Sequence, residues 1–133
     1  MPNPFTASAL VGLGGFTGSI ARYGLSVAFQ RVSFDWPYGT MTANILGCFI
    51  IGVISGVAER TEMLSPGARL LLATGFCGGF TTMSSMVYES MQMLRSGEYL
   101  HGGLYVGATL AGSMLAFVAG AMAVRMLILS AGE

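Results

Sequence analysis

The chain has 133 residues, of which 53% are hydrophobic and 9% charged, with six basic residues, six acidic residues and a formal net charge of +0. Soluble domains carry about 25% charged residues, so a water-facing exterior is excluded and lipid is the expected solvent. All six basic residues are arginines, and so few cations give no basic face for nucleic acid.

Between the charges lie four apolar stretches, at 5–29, 38–58, 69–94 and 101–128, each near the ~20 residues that a helix needs to cross a bilayer. The expected fold class is therefore an all-α membrane protein, one domain over 1–133 with four transmembrane helices and short loops. In the first stretch no Lys or Arg precedes the apolar run, and Arg22 comes only near its end. It is expected to remain as a helix and not to be removed as a signal. Gly12 to Gly18 has neither a strand before it nor a lysine, which excludes a nucleotide loop. Arg31, Asp35 and Trp36-Pro37 form a polar turn with an aromatic anchor at the membrane surface.

In the second stretch Thr40 and Asn44 are one turn apart and share a face. Asn44 is the stronger functional candidate, because an amide needs several partners and oil supplies none. Cys48 here and Cys77 in the third stretch fall inside spans, and both are read as small buried hydrophobes. Glu59-Arg60-Thr61-Glu62 and Ser65-Pro66-Gly67 make the next loop, with Pro66 placed to start a helix.

The third stretch carries Gly75, Gly78 and Gly79, poor helix formers, followed by Thr81 and Thr82, whose hydroxyls compete for backbone hydrogen bonds. A break at 78–82 is predicted. Irregular backbone at membrane depth persists only when buried in protein or lining a cavity, and unwound carbonyls there can coordinate a cation. Beyond the break, Ser85 and Glu89 are four apart, and Met83 and Met86 three apart. Methionines at helical spacing read as packing. Glu89 suits an ion pathway or a structural acid reaching the interface near Arg95.

His101 opens the fourth stretch and is read as interfacial. Tyr105, Thr109 and Ser113 recur every fourth residue, a hydroxyl stripe that suits a pore wall or hydrogen bonds within and between helices. Small residues four apart occur in every stretch: Gly14 and Gly18, Gly52 and Gly56, Gly75 and Gly79, Gly103 and Gly107, then Ala116 and Gly120. Such pairs let helix backbones approach closely. With four spans, Arg60, Arg69 and Arg125 share one side and Arg22, Arg31 and Arg95 the other. Without an excess of positive loops on one side, insertion in both directions is expected, and two inverted copies could bring their breaks together at the midplane.

Three stretches resemble one family. Gly14 through Tyr23 is similar to the GGxxGAxxRY opening of the Fluc or CrcB-type fluoride channels, Gly39 through Asn44 to their GTLxVN, and Gly75 through Thr82 to their GFCGGxTT. The resemblance covers nearly the whole chain. It implies an antiparallel, dual-topology homodimer in the bacterial plasma (inner) membrane, with two fluoride pores at the subunit interface. It also implies one structural sodium ion, Na+, held by backbone carbonyls of Gly78 and Thr81 from both copies. By the same resemblance Asn44 donates to fluoride, Tyr105, Thr109 and Ser113 form a polar track, Glu89 is an acid near that track, and Arg22 lies near a pore vestibule. Ser84 and Ser85 match the family's FST with Ser in place of Thr. Met83 and Met86 stand where the family's TTFSTF has two phenylalanines.

No nucleophile–base set is present, and no enzymatic activity is expected. A small dual-topology proton-coupled multidrug exporter would want an acid in the first helix, where the sequence has none. A non-transporting membrane assembly subunit would explain the glycine pairs, but not the hydroxyl stripe together with Asn44.

Overall fold

The computed structural model describes residues 1–131, which form four helical rods with short connections and no strand. The first rod, α1 (Pro4–Phe29), starts where the Asn3 side chain accepts the Thr6 N–H at 2.8 Å, with proline in its first turn. The second is α2 (Tyr38–Arg60). The third begins with α3 (Pro66–Arg69), capped by the Ser65 hydroxyl on the Ala68 N–H at 3.2 Å. It runs on through a π-helical stretch, Leu70–Cys77, into one more turn, α4 (Gly78–Phe80). After a break, α5 (Met83–Arg95) completes it. The fourth rod, α6 (Tyr99–Ser130), follows a three-residue reversal. There Gly97 takes φ +81°, while its N–H reaches the Leu94 carbonyl at 3.1 Å and the Glu98 N–H reaches that of Met93 at 2.9 Å. This is the Schellman stop, which favours glycine in the left-handed position.

Three of the rods, Tyr38–Arg60, Pro66–Arg95 and Tyr99–Ser130, are long and apolar enough to cross a membrane. The first, with 26 residues, is long enough but carries Thr6, Ser8, Thr17, Ser19 and Arg22 along it. Large apolar side chains such as Leu13, Phe16, Met114 and Leu115 point outward. The buried residues instead include Gly14, Gly18, Gly52, Gly56, Gly75 and Gly120. That inverts the pattern of a water-soluble fold and suits lipid, where helices associate by close packing.

The glycine pairs mark two such seams. Between α2 and α6, a methyl group at Gly52 would collide with the Phe117 carbonyl, and one at Gly120 with that of Phe49. Between α1 and the third rod, Gly14 meets Leu71, Gly75 and Phe76, Gly18 meets Phe76 and Phe80, and Gly79 meets Gly15. Gly103 and Gly107 depart from the expectation: neither has a neighbour within 4 Å of where a Cβ would stand. They lie on the outer face of α6.

The break is present but narrower than 78–82. Gly78 and Gly79 remain helical, and only Thr81 (φ −85°, ψ 157°) and Thr82 (φ −153°, ψ 119°) are extended. Gly75 and Gly79 serve the seam with α1, so close approach and not helix breaking accounts for them. The π-helical turns ahead of the break were not foreseen; such insertions are rare and occur often at functional sites.

Candidate functional site

The break is held by Asn44. Its Nδ2 donates to the Thr82 carbonyl at 2.9 Å, and its Oδ1 accepts the Thr82 N–H at 2.6 Å. The side chain thus pairs with one extended residue as a neighbouring strand would. Gly47, three residues on, packs against Thr81 and Phe80, keeping α2 close to the break. Thr82 also caps α5, its hydroxyl accepting the Ser85 N–H at 3.2 Å.

These bonds release two carbonyls. The N–H that would close a helical turn on Gly78 belongs to Thr82 and goes to Asn44. The one that would close on Thr81 belongs to Ser85 and goes to the Thr82 hydroxyl. Two neighbouring carbonyls are occupied: Cys77 accepts from the Thr81 N–H at 3.0 Å and the Thr81 hydroxyl at 2.9 Å, and Gly79 accepts from Arg22 Nε at 3.0 Å. Two main-chain oxygens without their helical donors, separated by two satisfied or buried positions, are the kind of hard oxygen donors that Na+ takes. A Cβ at Gly78 would meet nothing within 4 Å, so an approach from that side is open. Gly78 and Thr81 therefore fit the metal role that the resemblance implies.

Beside the break lies a groove of about 200 Å³ lined by Asn44, Thr81, Thr82, Met83, Met86, Thr109 and Ser113, together with Cys48 and Leu110. Half of the expected site residues meet there, from three rods. Their hydroxyls differ in availability. Thr109 donates to the Tyr105 carbonyl of its own helix at 2.7 Å, the back-bonding alternative for the stripe. The hydroxyl of Ser113 has no such bond among the described residues. Ser85 is tied to Thr82, whose hydroxyl reaches it at 3.2 Å, whereas Ser84 is exposed with its Oγ 3.3 Å from the Thr82 Oγ1.

Glu89 and Tyr105 form a second cluster. The Tyr105 hydroxyl donates to Glu89 Oε2 at 2.6 Å and that of Thr40 to Oε1 at 2.7 Å. The Trp36 ring meets Tyr105 edge-on, with centroids 6.3 Å apart. Glu89 lines two shallow clefts: one with Ser26, Gln30 and Ser33, the other with Asp35, Gln92 and Ser96. Tyr105 is fully buried, so Tyr105→Phe should cost about 1–2 kcal/mol by stripping one donor from the carboxyl. Thermal unfolding in detergent would register it, and an unchanged midpoint would mean the bond contributes nothing.

Cys48 is the residue whose place differs most from its reading, and Arg22 has a partner that residue order did not show. Arg22 lines none of these clefts; it sits two turns inside α1 and is engaged with the Gly79 carbonyl near the C-terminal end of a half-helix, where a cation is favoured. Cys77 is buried, but Cys48 is only half-buried and faces the groove. Its spacing of four from Asn44 was the available signal. Thr40, which bonds Glu89, was named in the sequence only for sharing the face of Asn44.

The family model for CrcB-like protein, Camphor Resistance (CrcB), matches residues 9–121. A fluoride-specific ion channel FluC from Chlorobaculum tepidum is 47% identical over 117 residues, covering 88% of this chain and 93% of its own length. One of the same name from Prosthecochloris aestuarii is 48% identical over 115 residues, 86% of this chain and 90% of its own. Another, from Leptospira interrogans, is 49% identical over 92 residues, covering 68% and 72%. With the matched region holding all three motifs, the break and the groove, the chain belongs to the CrcB-like protein family.

Proposed function

We propose that this chain is a fluoride-specific ion channel of the membrane, releasing cytoplasmic fluoride passively and without enzymatic chemistry. The observation that carries the reading is family membership, with relatives named as fluoride-specific channels along most of the chain. The groove adds physical support. A small, strongly hydrated anion needs hydrogen-bond donors that replace its water and still let it go. The Ser113 hydroxyl and the second Asn44 amide proton are available for that, since the first is committed to Thr82. Fluoride entering a cell as its neutral acid ionises in the less acidic cytoplasm, and such donors would return it as the ion.

The assembly we propose is an antiparallel homodimer with two pores. The outward-facing Gly103 and Gly107 leave α6 a close-approach surface that nothing within one subunit uses. Sodium bound at the Gly78 and Thr81 carbonyls would supply a fixed positive charge that neutralises main-chain oxygens of two facing breaks. The chain's own part is to hold those oxygens out, through Asn44 on the Thr82 N–H and Thr82 on the Ser85 N–H.

Liposomes loaded with fluoride or chloride test the channel. Rapid fluoride loss with chloride retained is expected; proton-coupled cation uptake would indicate an exporter, and retention of both anions an assembly subunit. Met83 and Met86 set the rate. An aromatic ring offers an anion its positive edge, and methionine has only weakly polarised S-methyl hydrogens. Met83→Phe/Met86→Phe is therefore expected to speed fluoride efflux, while equal rates would show that ring edges are not needed.

A further inference from the structure

We infer that the groove beside the break is a binding site for a soft monovalent cation, Cu(I) or Ag(I), held by the sulfurs of Cys48, Met83 and Met86, and that the bound ion closes the groove. Three of its nine lining residues carry sulfur, and none is His, Asp or Glu. Thiolate and thioether ligands select soft d10 ions, whereas hard cations take oxygen. The groove therefore differs in chemistry from the Gly78 and Thr81 carbonyls beside it.

The fold brings the sulfurs together from two rods. Cys48 stands one turn beyond Asn44 on the same face of α2, and Asn44 is fixed to Thr82, the residue before Met83. Met86 follows one turn later on the same face as Met83. Met86 is 5% exposed, while Met83 is 68% exposed and its unbranched thioether can swing inward. The groove, about 200 Å³, exceeds the share of one water, about 30 Å³, so an ion with a remaining water fits. On binding Ag(I), the Cys48 thiol gives its proton to water and forms an S–Ag bond. Each thioether shares a lone pair, and no atom changes oxidation state.

The test uses the purified chain in detergent and nitrate buffer, with silver measured by mass spectrometry after desalting. One silver ion per chain is expected. Cys48→Ser and Met83→Leu/Met86→Leu should each weaken retention by about tenfold or more, and Cys77→Ser should leave it unchanged. Retention unaffected by either of the first two variants, or lost with Cys77→Ser, would overturn the site. In fluoride-loaded liposomes silver should stop efflux through the unaltered chain, while Cys48→Ser, measured against its own silver-free rate, should keep a larger fraction of its efflux; full efflux through the unaltered chain with silver bound would overturn the closure. Silver retention needs no transport, so a chain that moved no fluoride would refute the proposed channel and leave the metal site standing on its own result.

Discussion

Asn44→Ala is expected to abolish fluoride efflux and to lower the stability of the folded chain by about 2–4 kcal/mol. The side chain makes both main-chain hydrogen bonds of Thr82, at 2.9 and 2.6 Å, from a position only 8% exposed. Removing it leaves the part-buried Thr82 N–H and carbonyl without their side-chain partner, each costing about 1–3 kcal/mol. Asn44→Asp separates the two bonds. It keeps an acceptor for the Thr82 N–H and loses the amide donor to the Thr82 carbonyl, so it should fall between the parent and Asn44→Ala in thermal unfolding. If Asn44→Ala unfolds at the parent's temperature, the break is held by something else, and the release of the Gly78 and Thr81 carbonyls needs another cause.

The second large effect concerns backbone contact. Gly79→Val should destabilise by about 3 kcal/mol or more, at the upper end of the overpacking range. The added Cβ would collide with the Gly15 carbonyl oxygen and lie 2.9 Å from the Gly15 Cα. Both are backbone, so no rotamer change relieves the clash, and α1 must move off the third rod. That motion would carry Arg22 away from the Gly79 carbonyl, 3.0 Å distant. Gly103→Ala is the matched control, because nothing within 4 Å awaits its methyl group inside the subunit. Size-exclusion profiles in detergent should show Gly79→Val aggregated and Gly103→Ala free of aggregate. Comparable profiles for the two would mean that the α1 seam tolerates separation.

The helical frame of the molecule is legible in residue order, and the partners across it are less so. Spans were easy, because charges cluster at 59–62 and 95–98 and the helices had to run between them; Pro66 and Gly97 then punctuate the third rod by local chemistry alone. The break was found for a partly mistaken reason. Glycines suggested unwinding by poor propensity, yet Gly78 and Gly79 are helical, and the chain opens at the two threonines, where Asn44 offers an alternative partner from 38 residues away. No local signal encodes that partner. The π-helical run Leu70–Cys77 was likewise invisible, since its residues would suit an ordinary α-helix. Arg22 was legible as a cation near the end of the first apolar stretch, but its partner, the Gly79 carbonyl, lies 57 residues away and has no local signal. The groove itself was half legible: spacing of four put Asn44 with Thr40 and Tyr105 with Thr109 and Ser113, but which hydroxyls remain free depends on tertiary partners.

Among the described residues, every side-chain hydrogen bond found between rods has one end on the third. Arg22 and Ser19 reach Gly79, Thr40 and Tyr105 reach Glu89, Asn44 holds Thr82, and Arg69 donates back to Ala58. The α2–α6 seam, by contrast, rests on close backbone approach at Gly52 and Gly120. In a randomised library, positions 52, 56 and 120 should admit only what is small, whatever its chemistry, while 22, 40, 44 and 105 should admit only what can donate, whatever its size. Evolutionary drift would then proceed along two separate alphabets, and the third rod would be the slowest part of the molecule to diverge.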